Sequence, residues 1–146
     1  MRPTFLVLGG TTQATALACA LSDGDYNATF SYAGRVAQPK SQPLPTRVGG
    51  FGGVDGLVDY LHAHHITHVI DATHPFAAQM SRNAVAACRR AGVGLIALTR
   101  PAWTAQADDR WTVVPDMAAA VDALDRGPSR VMLAIGKQHI AGFSVH

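Results

Sequence analysis

The stretch Phe5-Leu-Val-Leu-Gly-Gly-Thr-Thr-Gln13 decides how the rest of the chain is read. A short apolar run stops on two glycines, and an alanine-rich pattern of helical spacing follows at once. A buried strand that turns through glycine into a helix gathers backbone N–H groups at the positive end of the helix dipole. That point suits a phosphate, and at the head of a strand–helix alternation it predicts a nucleotide or dinucleotide guest. Gly9 and Gly10 supply the turn, while Thr11 and Thr12 bring hydroxyls able to donate to phosphate oxygens. The run departs from the dinucleotide fingerprint G-x-G-x-x-G. A strand-to-helix turn without a ligand is the structural alternative.

Outward from this turn, strands and helices alternate. Strands are expected at Thr4–Leu8, Asn27–Tyr32, Thr46–Val48, His68–Asp71, 94–98, 111–114 and 129–135. The first helix, 12–22, places Ala14, Leu17, Ala18 and Leu21 on one face. A second, after Gly49-Gly-Phe-Gly-Gly53, carries Val54, Leu57, Val58 and Leu61 as a single stripe. A third is expected to open at Pro75 under a Thr73 or His74 cap, with Phe76, Met80, Ala84, Cys88 and Ala91 facing the core. Asp116 caps a fourth, and Lys137–Phe143 reads as the start of another. Short continuous apolar strands between helices predict an α/β fold: a Rossmann-like, doubly wound parallel sheet. The organisation expected is a Rossmann-like nucleotide-binding domain over 1–128, then the opening strand and helix start of an incomplete second α/β domain over 129–146.

Composition narrows the function classes. With 146 residues, 48% apolar and 15% charged, the chain supports one globular domain with a real core. A net charge of +2 without a basic run argues against nucleic acid. The apolar run before Gly9 is too short for a signal peptide, and no later segment suits a bilayer, so a cytoplasmic protein is expected. Cys19 and Cys88 lack metal-ligand spacing and read as small buried apolar residues of a reducing compartment. His62, His64, His65 and His68 have no carboxylate or cysteine at ligand spacing, so no metal site is expected.

Further residues carry chemistry at the strand ends. The second strand ends in Ser31-Tyr-Ala-Gly-Arg35, and no Asp or Glu occurs between Tyr26 and Val54. An acidic residue there would hold a ribose 2′-hydroxyl; Ser31 and Arg35 instead point to a 2′-phosphate, hence NADP. The glycines flanking Phe51 allow close approach of backbone to a ligand, or serve only as a turn. Asp71-Ala-Thr-His-Pro-Phe-Ala77 lies on the same side of the sheet, where His74 can carry a proton or bind a carboxylate and Thr73 can meet an anion. Trp103, Arg110 and Trp111 could edge a large flat molecule. The chain lacks a Tyr-x-x-x-Lys pair, a P-loop and a G-x-S-x-G elbow, which sets those enzyme classes aside.

Together, Leu8-Gly-Gly-Thr-Thr-Gln-Ala14, Ser31-Tyr-Ala-Gly-Arg35, Arg47-Val-Gly-Gly-Phe-Gly-Gly53, Asp71-Ala-Thr-His-Pro-Phe-Ala77 and Arg110-Trp111 resemble the precorrin-6A reductases of the cobalamin pathway. The resemblance covers essentially the whole chain. It implies paired Rossmann-like domains and NADPH-dependent reduction of one double bond in a tetrapyrrole macrocycle, with or without cobalt, to a dihydro-precorrin. By this resemblance Gly9, Gly10, Thr11 and Thr12 cradle the pyrophosphate, and Ser31, Gly34 and Arg35 hold the 2′-phosphate. Gly50, Phe51, Gly52, Gly53 and Thr73 line the cofactor's other end. His74, Pro75, Phe76 and Arg100 meet the substrate, with His74 as proton donor or carboxylate anchor. Arg35, Arg47, Arg100 and Arg110 would draw a polycarboxylate. Gln13 stands where the family commonly has Glu. Family members continue through a complete second domain, which Ile135-Gly-Lys-Gln-His139 resembles at its entry. A nucleotide-binding fragment, inactive by itself, is therefore the alternative, and self-association could complete the cleft.

Overall fold

The computed structural model describes residues 2–34, 40–101, 103–124 and 130–144, without the side chains of 137 and 138. Two compact units divide the chain, Met1–Pro101 and Ala102–His146.

The first unit is built on five parallel strands: β1 (Thr4–Leu8), β2 (Asn27–Tyr32), β3 (Thr46–Val48), β4 (His68–Asp71) and β5 (Gly94–Ala97). Their order is β3-β2-β1-β4-β5. Successive side chains along a strand point to opposite faces, and the core divides accordingly. Val7, Phe30 and Ile70 are buried against α1 (Thr12–Asp23) through Ala14, Ala18 and Leu21. Leu6, Leu8 and Val69 are buried on the other face, with Leu57 and Leu61 of α2 (Gly53–Ala63) and Ala84, Ala87 and Cys88 of α3 (Ala78–Ala91). Helices therefore cover both faces, as the continuous apolar strands require. Full burial of an apolar side chain such as Leu57 or Phe30 contributes roughly 1.5–3 kcal/mol.

Several expectations are corrected. The third helix begins at Ala78, not at Pro75. Residues 74–77 form a turn closed by the Ala77 N–H on the His74 carbonyl at 2.7 Å, and Pro75 takes the second turn position, where its fixed φ is equally at home. Thr73 consequently caps nothing, and Phe76 is 64% exposed instead of heading the core stripe. Cys19 is exposed because it follows Ala18 by 100° around α1, away from the buried stripe; Cys88 is buried.

In the second unit Asp116 Oδ1 accepts from Ala119 N–H at 2.9 Å and caps α4 (Met117–Asp122); a 3₁₀ helix spans Lys137–Phe143. The strands expected at 111–114 and 129–135 do not form among the described residues, and Ser129 lies outside them. A strand needs a neighbour for its N–H and C=O groups, and here Val113 and Met132 are each 89% exposed. No helix among the described residues is long and apolar enough to cross a membrane.

Candidate functional site at the carboxyl rim of the sheet

Because all five strands run the same way, every loop the sequence singled out in the first unit leaves from one rim. The order reverses between β1 and β4, where α/β sheets hold their ligands. The β1 exit lies on this line. Its two glycines serve different ends. A Cβ on Gly9 would fall 2.0 Å from Cζ of Phe30, so Gly9 makes room for the ring beneath the turn. Gly10 has φ +122°, a left-handed conformation, and a Cβ there would meet nothing within 4 Å. Its surroundings are open space.

Thr11 is the N-cap of α1, its Oγ1 accepting from Ala14 N–H at 3.1 Å. The same hydroxyl donates to the Ala72 carbonyl at 2.9 Å. Its hydrogen is therefore spent inside the protein, and what Thr11 offers a phosphate is backbone. Thr12 donates to Gln13 Oε1 at 3.1 Å, and Arg100 Nε donates to the same oxygen at 3.0 Å. Gln13 thus orients one predicted phosphate ligand and one predicted substrate ligand together.

At the β2 exit, Ser31 is only 4% exposed. It pairs in register with Arg47 on β3, whose Nη1 donates to Ser31 Oγ at 2.8 Å and to the Gly49 carbonyl at 2.9 Å, while Nη2 reaches the Gly50 carbonyl at 3.2 Å. The Arg47 guanidinium lies 3.9 Å from the centre of the Phe51 ring. A Cβ on Gly34 would stand 3.3 Å from Gly49 Cα, so the loops after β2 and β3 meet at glycine. Gly52 and Gly53 both have positive φ as they enter α2, which has no side-chain cap. Arg35 lies outside the described residues.

At the β4 exit, Asp71 Oδ1 accepts from Thr73 N–H at 3.1 Å and from its hydroxyl at 2.7 Å. His74 Nδ1 accepts from Phe76 N–H at 3.2 Å, which puts the ring hydrogen on Nε2 in the neutral form. His74, Pro75 and Phe76 are exposed at the rim, with the His74 and Phe76 rings 4.9 Å apart.

A dinucleotide needs backbone donors, room for its phosphates and no opposing carboxylate at the β2 exit. Gly10 is open, Asp71 is the acidic side chain at the strand ends and is held by Thr73, and no acidic residue stands between Tyr26 and Val54. The residues present fit such a cofactor.

Residues 4–146 match the profile of the family described as precorrin-6x reductase CbiJ/CobK. The chain belongs to this family. A precorrin-6A reductase of Rhodobacter capsulatus is 67% identical over 140 residues, covering 96% of this chain and 56% of that protein. One of Sinorhizobium sp is 50% identical over 145 residues, covering 99% and 56%. A solved structure titled CobK precorrin-6A reductase superposes with a TM-score of 0.95 at 65% identity, over 98% of this chain and 57% of that one. The chain thus spans a little over half the length of these three relatives.

In this member of the CbiJ/CobK family, one rim brings together Gly9 to Thr12, Ser31, Gly34, Gly50 to Gly53, Thr73 to Phe76 and Arg100. Trp103, Arg110 and Trp111 fall in the second unit, where Trp103 is 87% exposed. Among the described residues no group of three or more His, Cys, Asp or Glu side chains could hold a metal; His64 lies against Tyr60 and His68 against Phe5. A cavity of about 450 Å³ in the second unit, lined by Met117, Val121, His139 and Phe143 among others, contains none of the predicted site residues. Sequence reading missed the Arg47 clamp. It also missed Gln42, whose amide donates to Thr15 Oγ1 and Tyr32 Oη and so braces α1 against β2. The pairing of Ser31 with Arg47 is visible only once β2 and β3 are known to be neighbours in that register.

Proposed function

We propose that the chain carries the cofactor side of an NADPH-dependent reduction of one double bond in the precorrin-6A macrocycle, giving a dihydro-precorrin in cobalamin biosynthesis. The observation that carries the reading is Gly10, left-handed and open at the sheet's switch point, on the N-terminal side of a 12-residue helix. In that role the backbone from Gly10 to Thr12 holds the pyrophosphate. Ser31, Gly34 and Arg35 select the 2′-phosphate, and the glycines around Phe51 with Thr73 line the nicotinamide end. Bound there, NADPH would supply the hydride for one carbon of the double bond, with a proton going to the neighbouring carbon and NADP⁺ as the oxidised product. His74 Nε2–H is the proton donor or carboxylate anchor, with Phe76 against the macrocycle and Arg100, oriented by Gln13, toward a substrate carboxylate. The exposed free thiol of Cys19 suits a reducing, cytoplasmic setting.

The test is anaerobic turnover of purified precorrin-6A and its cobalt form. NADPH consumption is followed by nicotinamide absorbance and the dihydro product by mass. No binding of NADPH would end this reading. Binding without turnover would assign these residues the nucleotide-holding role alone. Gel filtration during the assay reads whether paired copies are needed.

A further inference from the structure

We propose that Arg47 is a positioning residue for cofactor selectivity, locking Ser31 and the glycine loop into one rim instead of binding substrate carboxylates. The inference rests on the NADPH reading above. Three of the five guanidinium N–H donors of Arg47 are engaged with Ser31 Oγ, the Gly49 carbonyl and the Gly50 carbonyl at 2.8, 2.9 and 3.2 Å. One face of the guanidinium is covered by Phe51 at 3.9 Å, and Phe51 is held in turn by the Tyr60 ring, 5.1 Å away and edge-on. A cation used in this way organises its neighbours.

The consequence falls on Ser31. Its hydroxyl oxygen accepts from a cation, so its hydrogen is what remains to give, and the charged partner strengthens that donor. Phosphate oxygens only accept, whereas a ribose hydroxyl both donates and accepts. A Ser31 fixed as donor can serve either, but its bond to an anionic oxygen is charge-assisted and stronger, which favours the 2′-phosphate. Gly34 lies so close to Gly49 that an added Cβ would stand 3.3 Å from Gly49 Cα, so the position of the glycine loop also bears on the end of the β2 exit. Lysine would keep the charge but lose the planar fork that reaches three acceptors.

The experiment measures NADPH and NADH affinities by nicotinamide fluorescence for wild type, Arg47→Lys, Ser31→Ala and the double variant. Arg47→Lys should weaken NADPH by about tenfold and NADH hardly at all, the loss of one charge-assisted hydrogen bond. Ser31→Ala, a milder change to the fold, should reproduce that NADPH-specific loss. The double variant should be no weaker than Arg47→Lys alone, because coupled residues do not add. Equal losses for both nucleotides would make Arg47 merely structural and overturn the proposal; so would additive losses. A wild-type protein with no preference for NADPH would defeat the cofactor reading itself, and the proposal with it. Wild-type preference retained in Arg47→Lys would defeat the proposal alone.

Discussion

The hydroxyl of Thr11 donates to the carbonyl oxygen of Ala72 at 2.9 Å, across 61 residues of chain, while accepting the Ala14 N–H at 3.1 Å. One side chain thus caps α1 and ties the β1 exit to the β4 exit, where the strand order reverses. Thr11→Val keeps the shape and removes both bonds. A lost cap costs about 1 kcal/mol, and the unpaired Ala72 carbonyl adds a similar amount. Urea unfolding should register a loss on the order of 2 kcal/mol, with Thr11→Ser restoring most of it. An unchanged midpoint for Thr11→Val would show that the strap does not bear on stability.

The two turn glycines should separate by phenotype. Gly9→Ala drives a methyl into Phe30, an overpacking cost of about 1–3 kcal/mol or more that lowers Tm. Gly10→Ala meets no atom within 4 Å but forces alanine to φ +122°. It should cost about 1–3 kcal/mol of backbone strain and weaken NADPH binding as the turn relaxes. Calorimetry with and without NADPH reads both; Gly10→Ala with wild-type affinity would remove the turn from the cofactor site.

Arg35→Ala should weaken NADPH by about 1.5–3 kcal/mol and leave NADH nearly unchanged, since only the 2′-phosphate loses a charged partner. Equal weakening of both nucleotides in parallel titrations would count against that assignment.

His74→Ala should lower turnover while leaving NADPH affinity nearly unchanged. The side chain stands exposed on the turn after β4, and among the described residues its ring hydrogen-bonds only with the Phe76 N–H. Removing its imidazole also frees the Phe76 N–H, so His74→Asn, which can still accept that bond, separates turn geometry from proton donation. An undiminished rate in His74→Ala would take His74 out of the chemistry.

The two thiols should differ in reactivity. Cys19 is exposed and should be alkylated in the folded protein, whereas Cys88 should react only on unfolding. Burial pushes the Cys88 thiol above its ordinary value of 9.0, so the folded state keeps a proton that the unfolded chain releases. Its contribution to stability is therefore full below that value and declines as pH rises past it. Matching alkylation rates at both cysteines would contradict the packing of α3.

Much of this was legible along the chain. The strands Thr4–Leu8, Asn27–Tyr32, Thr46–Val48 and His68–Asp71 carry the bounds that apolar runs between glycine and polar breaks predict. The turn at Pro75 was not, because proline suits the first turn of a helix and the second position of a β-turn equally. The apolar runs near Val113 and Met132 have the composition of strands but pair with no neighbour among the described residues. Composition reports what a segment would bury, not whether a partner is present.

The sequence by itself determined the alternation through the first unit, the parallel sheet and the rim on which Gly10, Ser31 and His74 emerge, because hydrophobic period and glycine punctuation are local properties. Only the tertiary structure decided what each polar group does there. Thr11 spends its hydroxyl on Ala72, Arg47 spends its charge on Ser31 and the glycine carbonyls, and Gln13 holds Arg100. Such partnerships join residues far apart in the chain, and a hydrogen bond forms with whichever acceptor the packed strands bring within about 3 Å.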